Sequence, residues 1–231
     1  MEELKNLLVS QGANLVGFAD LNGLNSEFPF GISILVKLSP ELINSIKDFP
    51  NMFYFEEYHR INNLLNKIVS MGTEYLIKNG FKAFAQTTTS VNQSEDYITK
   101  LPHKTVATRA GLGWIGKCGL LVTNKYGSGV RISSFLTNAK LYCGTPIEKS
   151  FCGNCKECEK NCPANAVIGN LWNVNMERGK LIDVYKCRKK AREIALAKIN
   201  KEATLCGKCF IVCPYTIKYL DKELEKTKTG T

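Results

Sequence analysis

A chain of 231 residues, 44% of them hydrophobic, is long enough for one core of about 140 residues with a smaller unit beside it, or for one merged domain. Its longest apolar run, Ile32 to Val36 around Ser33, falls far short of the ~20 residues that cross a bilayer, and Met1-Glu2-Glu3-Leu4 does not open a signal peptide, so the expected setting is cytoplasmic and reducing, with no membrane. The formal charge of +10 would suit a nucleic-acid partner, but it is concentrated late in the chain, where residues 141–231 hold 17 Lys and Arg against 10 Asp and Glu.

Residues 2–10 place Leu4, Leu7 and Leu8 on one helical face, and Gly12 ends that helix. Asn14 to Ala19 and Phe30 to Lys37 read as strands, the second the more buried, with turn chemistry over Asn22 to Pro29 between them. Ser39-Pro40-Glu41 offers an N-cap and a proline at the first helical position, opening a brief helix towards Lys47. Tyr54, Tyr58, Ile61, Leu65, Ile68, Gly72 and Tyr75 recur at three- and four-residue intervals before Gly80, which predicts a long core helix. A strand over Phe81 to Gln86 leads into Thr87 to Glu95, a polar stretch with little to bury and therefore a surface loop or lid. Leu101 to Ala110 is predicted helical, and Gly119 to Thr123 with Gly129 to Leu136 read as a hairpin around Asn124-Lys125-Tyr126-Gly127-Ser128. A basic helix from Leu181 to Lys198 carries Cys187, and Glu223 to Thr231 reads as a polar tail. Together these give an α+β fold divided into a core (1–140), a cysteine-rich unit (141–222) and a flexible tail (223–231).

The chemistry is concentrated in two cysteine motifs, Cys152-Gly-Asn-Cys155-Lys-Glu-Cys158-Glu-Lys-Asn-Cys162-Pro163 and Cys206-Gly-Lys-Cys209-Phe-Ile-Val-Cys213-Pro214. Three thiolates spaced by two residues can wrap one 4Fe-4S cube, and in two-cluster ferredoxins the cysteine before proline ligates the other cluster. That crossing assigns Cys152, Cys155, Cys158 and Cys213 to one cluster. The second then has Cys206, Cys209 and Cys162, and Cys187 supplies its missing sulfur. Zinc and disulfides are the competing readings, but zinc usually takes two separated pairs and disulfides need an oxidising compartment. Cys118 and Cys143 are left over and read as small buried hydrophobes. Each oxidised cluster with its four thiolates carries about −2, which removes roughly four units from the formal charge. The remaining basic excess around the clusters would attract an acidic, low-potential electron donor such as a ferredoxin or flavodoxin.

Gly111-Leu112-Gly113-Trp114-Ile115-Gly116 matches the dinucleotide-binding fingerprint letter for letter. Its context does not: a helix rather than a strand is predicted before it, and no acid stands about 20 residues on. The glycines still imply a close backbone approach to packed chain or to a flat cofactor.

The stretch from His103 through Arg109-Ala110-Gly111-Leu112-Gly113-Trp114-Ile115-Gly116-Lys117, followed by Leu120 to Thr123, resembles the epoxyqueuosine reductase family and its reductive dehalogenase relatives, as do the order of the cysteines and Glu57-Tyr58-His59. The resemblance covers roughly residues 54–218. It implies a nitroreductase-like mixed sheet core, a C-terminal ferredoxin-like double-cluster unit, and a cobalamin-dependent reduction in which electrons pass through both clusters to a base-off corrinoid. It also implies that His103, Lys104, Gly111, Leu112, Gly113, Trp114, Gly116 and Lys117 contribute to the cofactor site. Counting back without gaps from Ala110, the family's catalytic aspartate falls on Tyr97, with Asp96 beside it, so these two are the candidate proton donors. The family members that act on tRNA continue into a helical-repeat region, whereas this sequence ends 18 residues after Cys213, which puts tRNA in doubt and leaves a small or unknown molecule as substrate. The alternative is an electron-transfer protein that reduces a partner enzyme or a partner's corrinoid.

Overall fold

The computed structural model describes residues 1–91 and 94–229. The chain forms two compact units that interleave along the sequence: one comprises Met1–Lys37, His59–Trp114 and Arg131–Glu148, the other Leu38–Tyr58, Ile115–Val130 and the chain from Lys149 on. The elements are α1 (Glu2–Ser10), β1 (Leu15–Asp20), β2 (Phe30–Lys37), α2 (Pro40–Ser45), α3 (Met52–Lys78), β3 (Ala83–Gln86), α4 (His103–Arg109), β4 (Trp114–Ile115), β5 (Leu121–Val122), β6 (Val130–Thr137), α5 (Glu157–Lys160), α6 (Val184–Ile199), α7 (Lys208–Ile211) and α8 (Pro214–Thr229). Among the described residues no helix is long and apolar enough to cross a membrane.

The first unit is built on a four-stranded sheet in the order β1-β2-β6-β3, with β1 antiparallel to β2 and β3 antiparallel to β6. Strand alternation gives the sheet two apolar faces. Leu136 joins Ala19, Leu21, Val106 and Ala110 in one buried cluster on the α4 side. Its neighbour Phe135 points the other way, towards Leu8 and Gly72 of α3. Gly72 belongs to the predicted helical stripe because no side chain fits there: a Cβ would lie 2.5 Å from Phe135 Cζ, and Phe135 is fully buried. Gly72→Ala gains about 1 kcal/mol of helix propensity but overpacks a rigid core, for an expected net loss of about 1–2 kcal/mol. Urea-unfolding midpoints test this; an unchanged midpoint would mean that Phe135 moves aside at no cost.

In the second unit, α2 starts as the sequence predicts, with Ser39 Oγ accepting from Leu42 N at 3.2 Å and Pro40 in the first turn. Helix α6 opens on Asp183, whose carboxylate accepts from Lys186 N at 3.0 Å, and ends on Asn200 in the left-handed conformation. The side chains of Tyr126 and Tyr219 meet edge to face at 5.2 Å, and Tyr219 donates to Leu38 O at 2.9 Å, which anchors α8.

Two expectations are corrected. The predicted hairpin does not form as a strand pair: its turn closes through Thr123 and Gly127, but the two-residue β5 pairs with β4, while the eight-residue β6 joins the four-stranded sheet. Turn residues mark where a chain reverses, and they do not specify which neighbour a strand then finds. The stretch from Glu223, read as a tail because it is polar, continues α8 as far as Thr229, and its last two residues lie outside the described ones. Leu224, Glu225 and Lys226 are all good helix formers, and a helix already anchored by Tyr219 is extended cheaply by such residues.

Candidate functional site

The second unit collects the cysteines of both motifs. Cys152 opens a turn closed by Cys155 N donating to Cys152 O at 3.2 Å, and Cys158 follows on the short helix α5. Beyond it, Cys162 Sγ accepts the backbone N–H of Ala166 at 3.3 Å, the kind of bond that stabilises a metal-bound sulfur. Cys213 stands immediately before α8. Burial pushes its thiol up and Cys152 adds to this, against the opposing effect of the Thr216 and Tyr215 backbone and the Ser128 side chain. Cys187 projects from α6 towards Cys162 and Cys206, and burial followed by those two thiols pushes it up. Burial likewise raises Cys206, against the opposing effect of the Lys208 backbone, and Cys162 adds to the rise.

The structure thus associates Cys152 with Cys213, and Cys187 with Cys162 and Cys206. Among the described residues no three His, Cys, Asp or Glu side chains converge as a single metal ion would require. The donor set fits iron-sulfur ligation: buried thiols raise one another's pKa unless a cation compensates, and a backbone N–H already bonds the Cys162 sulfur.

A turn from outside the motifs covers this ladder. Gly119 N donates to Gly116 O at 2.8 Å, and the turn so formed delivers three consecutive residues to three consecutive cysteines. A Cβ on Gly116 would come within 3.6 Å of Cys152 Sγ. Lys117 is only 6% exposed and its Nζ donates to Cys155 O at 2.9 Å. Cys118, equally buried, belongs to a buried group against which Cys158 and Cys209 pack. Hence Gly116 and Lys117, which the resemblance associates with a corrinoid, lie against the first cysteine loop. The fingerprint stretch itself lies between helix α4 and strand β4. Gly111, at φ +72°, passes so close to the chain that a Cβ would sit 2.6 Å from Thr145 O, while Gly113 and Trp114 are buried and Leu112 packs against the β1 cluster.

The first unit holds a hydrogen-bond chain whose direction can be worked out. Gln86 Nε2 donates to Leu101 O at 3.1 Å, which fixes its amide so that Oε1 accepts from Ser134 Oγ at 2.6 Å. With its only proton committed, Ser134 must accept from His103 Nδ1, 2.7 Å away. His103 is therefore the Nδ1–H tautomer with its lone pair on Nε2. Burial, then the Arg131 charge, lowers its pKa to about 4, so it is neutral at physiological pH. Lys104 follows it in the first turn of α4. Gln86 also borders a cavity of about 520 Å³ with Phe28, Phe84, Lys100 and Leu101 in its wall.

The proton-donor candidates lie in the loop before Lys100. Asp96 is exposed; Tyr97 is half-buried with φ +58°, donating its N–H to Ser94 O at 2.9 Å. Neither is among the described residues of the cavity wall. The lid predicted over Thr87 to Glu95 begins with a turn held by Ser90 Oγ on Ala85 O, and its residues 92 and 93 lie outside the described ones. Cys143, in the first unit, has its Sγ 3.6 Å from Leu141 O.

The sequence reading missed Gln86, Ser134 and the part played by Cys118. Gln86 and Ser134 face each other across β3 and β6, a register invisible before the sheet order is known. For Cys118 there was a weak signal, its place between Gly116 and Gly119 in a turn that excludes bulk.

Residues 151–216 match the 4Fe-4S double cluster binding domain. An epoxyqueuosine reductase of Lactococcus garvieae is 33% identical over 118 residues, 48% of this chain and 30% of the relative. Another, from Francisella cf. novicida, is 28% identical over 216 residues, 88% of this chain and 53% of the relative. The chain thus spans about half or less of these relatives. Among solved structures, a reductive dehalogenase described as informing B12-dependent dehalogenation aligns with a TM-score of 0.73 at 18% identity, over 98% of this chain and 33% of that one. An epoxyqueuosine reductase bound to an epoxyqueuosine-modified tRNA-Tyr stem loop aligns with a TM-score of 0.64 at 18% identity, over 94% of this chain and 65% of that one. The chain is therefore an α+β iron-sulfur protein with a double 4Fe-4S domain, similar in sequence to epoxyqueuosine reductases and sharing its fold with them and with reductive dehalogenases.

Proposed function

We propose that the protein is an oxidoreductase whose two 4Fe-4S clusters relay low-potential electrons to a bound corrinoid for a reductive reaction of the epoxyqueuosine reductase kind. Cys152, Cys155, Cys158 and Cys213 hold one cluster, and Cys162, Cys187, Cys206 and Cys209 the other. The observation that carries this reading is the thiol grouping, in which Cys213 stands beside Cys152 and Cys187 beside Cys162 and Cys206. A corrinoid, when bound, supplies a strongly reducing cobalt centre that no side chain can replace. Leu112 and Trp114 pack in the interior and Lys117 bonds the cysteine loop, so the side chain of His103 would meet that cofactor, with Lys104 next to it on α4. Neutral His103 would present a lone pair and no acidic proton, and protonation of the substrate falls to Tyr97 or Asp96. A cavity of about 520 Å³ suits a small-molecule substrate. The electrons would come from an acidic carrier such as a ferredoxin or flavodoxin, drawn by Lys186, Lys189 and Lys190 on α6, in the reducing cytoplasm.

The test is anaerobic reconstitution followed by titration with cob(II)alamin. The expected result is a base-off spectrum and saturable heat of binding; absence of both removes the corrinoid from the proposal. A second reading, an electron-transfer protein serving a partner enzyme, draws on the exposure of Asp96 and the position of Tyr97 outside the cavity wall. Turnover by the isolated chain with an artificial donor would reject it. Saturable binding of a tRNA stem loop at physiological salt would instead replace the small-molecule substrate.

A further inference from the structure

Within the second unit, residues 46–55 lie against the second cysteine motif. A Cβ on Gly207 would come within 2.8 Å of Ile46 Cδ1, Phe210 meets Tyr54 edge to face at 6.0 Å, and Lys208, between Cys206 and Cys209, donates from Nζ to Lys47 O. The surface beside this contact is apolar and open: Phe49, Phe53 and Met52 are 47%, 44% and 39% exposed. It is also basic. Lys198 Nζ lies 4.1 Å from the centre of the Phe49 ring and Lys208 Nζ 5.8 Å from it, while Lys201 Nζ lies 5.7 Å from the centre of the Phe55 ring. Residues 46–55 and 198–209 carry four lysines against Asp48 and Glu202, and Glu202 is paired with Arg192 at 3.2 Å.

We propose that this aromatic and basic face is the docking site of an acidic, low-potential electron-carrier protein, which delivers electrons to the cluster held by Cys206 and Cys209. The proposal rests on the relay reading above. Large apolar side chains left open among cations suit a partner that is steered by charge and then covers a small apolar centre, the anatomy of a transient electron-transfer interface. Lys186, Lys189 and Lys190 on α6 add to the long-range attraction, and Phe49 and Phe53 form the contact itself. Each transfer moves one electron: the carrier is oxidised, one oxidised 4Fe-4S cluster is reduced, and no bond forms or breaks. RNA fits this face less well, because a stacking base needs an open ring face and that of Phe49 is engaged by Lys198.

The experiment follows cluster reduction by rapid-freeze EPR after anaerobic, reconstituted protein is mixed with flavodoxin hydroquinone, with reduced ferredoxin, or with dithionite, which needs no docking face. The expected result is that Phe49→Ala and the double variant Lys198→Glu/Lys201→Glu each slow reduction by the carriers about tenfold. The double variant should also lose most of the salt dependence, Phe49→Tyr should keep the wild-type rate, and dithionite should reduce all of them equally. An unchanged carrier rate in either variant overturns the docking face; both lysines are exposed, so the double variant reads the face even where Phe49→Ala fails to fold. Saturable binding of a tRNA stem loop at physiological salt that the double variant abolishes would make this a nucleic-acid site and overturn the proposal as well. Wild type that dithionite reduces and neither carrier does overturns the proposal and leaves the relay reading standing, whereas wild type with far fewer than about eight irons rejects that reading itself, and the proposal with it.

Discussion

Cys187→Ala should bind about four irons where the wild type binds about eight, with one of two reduced-state EPR signals lost. No second cysteine stands within the Cys-x-x-Cys spacing of Cys187, so from its immediate surroundings it resembles an ordinary helical cysteine. Its position in the fold is different. Helix α6, set in place by the Asp183 cap, turns Cys187 towards Cys162 and Cys206, which belong to motifs 25 residues before it and 19 after it. A cube held by three thiolates keeps one iron open to solvent and to oxidation, and such an iron is lost first. Half of the cluster iron should therefore be lost selectively while the set containing Cys213 stays loaded. Iron and sulfide analysis after anaerobic purification, with EPR of the dithionite-reduced protein, measures this directly. About eight irons in the variant would refute the ligand assignment, and Cys143 or Cys118 would have to be reconsidered.

The sequence made the helices legible because their evidence is local. The Ser39-Pro40 cap, the stripe through Ile61, Leu65 and Ile68, and the burial of Ile32, Ile34 and Leu35 each depend on residues within one turn or one strand. The cysteine motifs were legible for the same reason, since a cube is wrapped by a short loop. What could not be read is long-range pairing. Nothing near Val130 says that β6 will leave β5 and lie between β2 and β3. Nothing near Gly116 says that a turn resembling a nucleotide loop will press Lys117 onto Cys155 O. A Gly-rich run reports close approach without naming what approaches, and here the answer is Thr145 O at Gly111 and a cysteine loop at Gly116.

His103 should make the first unit acid-sensitive, and the size of the effect follows from its pKa. In the unfolded chain its imidazole takes up a proton near pH 6.5, whereas in the folded protein burial delays this to about pH 4. Above pH 6.5 neither state is protonated there and His103 costs nothing. As the pH falls from 6.5 towards 4 only the unfolded state gains a proton, so stability drops steadily, reaching a loss of about 3 kcal/mol at the lower limit. Between pH 7.5 and 5 the share due to His103 is about 2 kcal/mol. Anaerobic urea unfolding at these two pH values, followed by the emission of buried Trp114, compares wild type with His103→Gln. Carboxylates and cluster lability affect both proteins alike, so the difference between them isolates His103, and equal losses would show that the imidazole is not buried in neutral form. The same depressed pKa bears on mechanism. A histidine that stays neutral down to about pH 4, with Nδ1–H committed to Ser134 and Gln86 Oε1 committed in turn, has no proton to deliver at neutral pH. Any acid acting at the Gln86 cavity must come from elsewhere, so an activity profile that followed a histidine-like acidic limb would have to be traced to His59, the only other histidine in the chain.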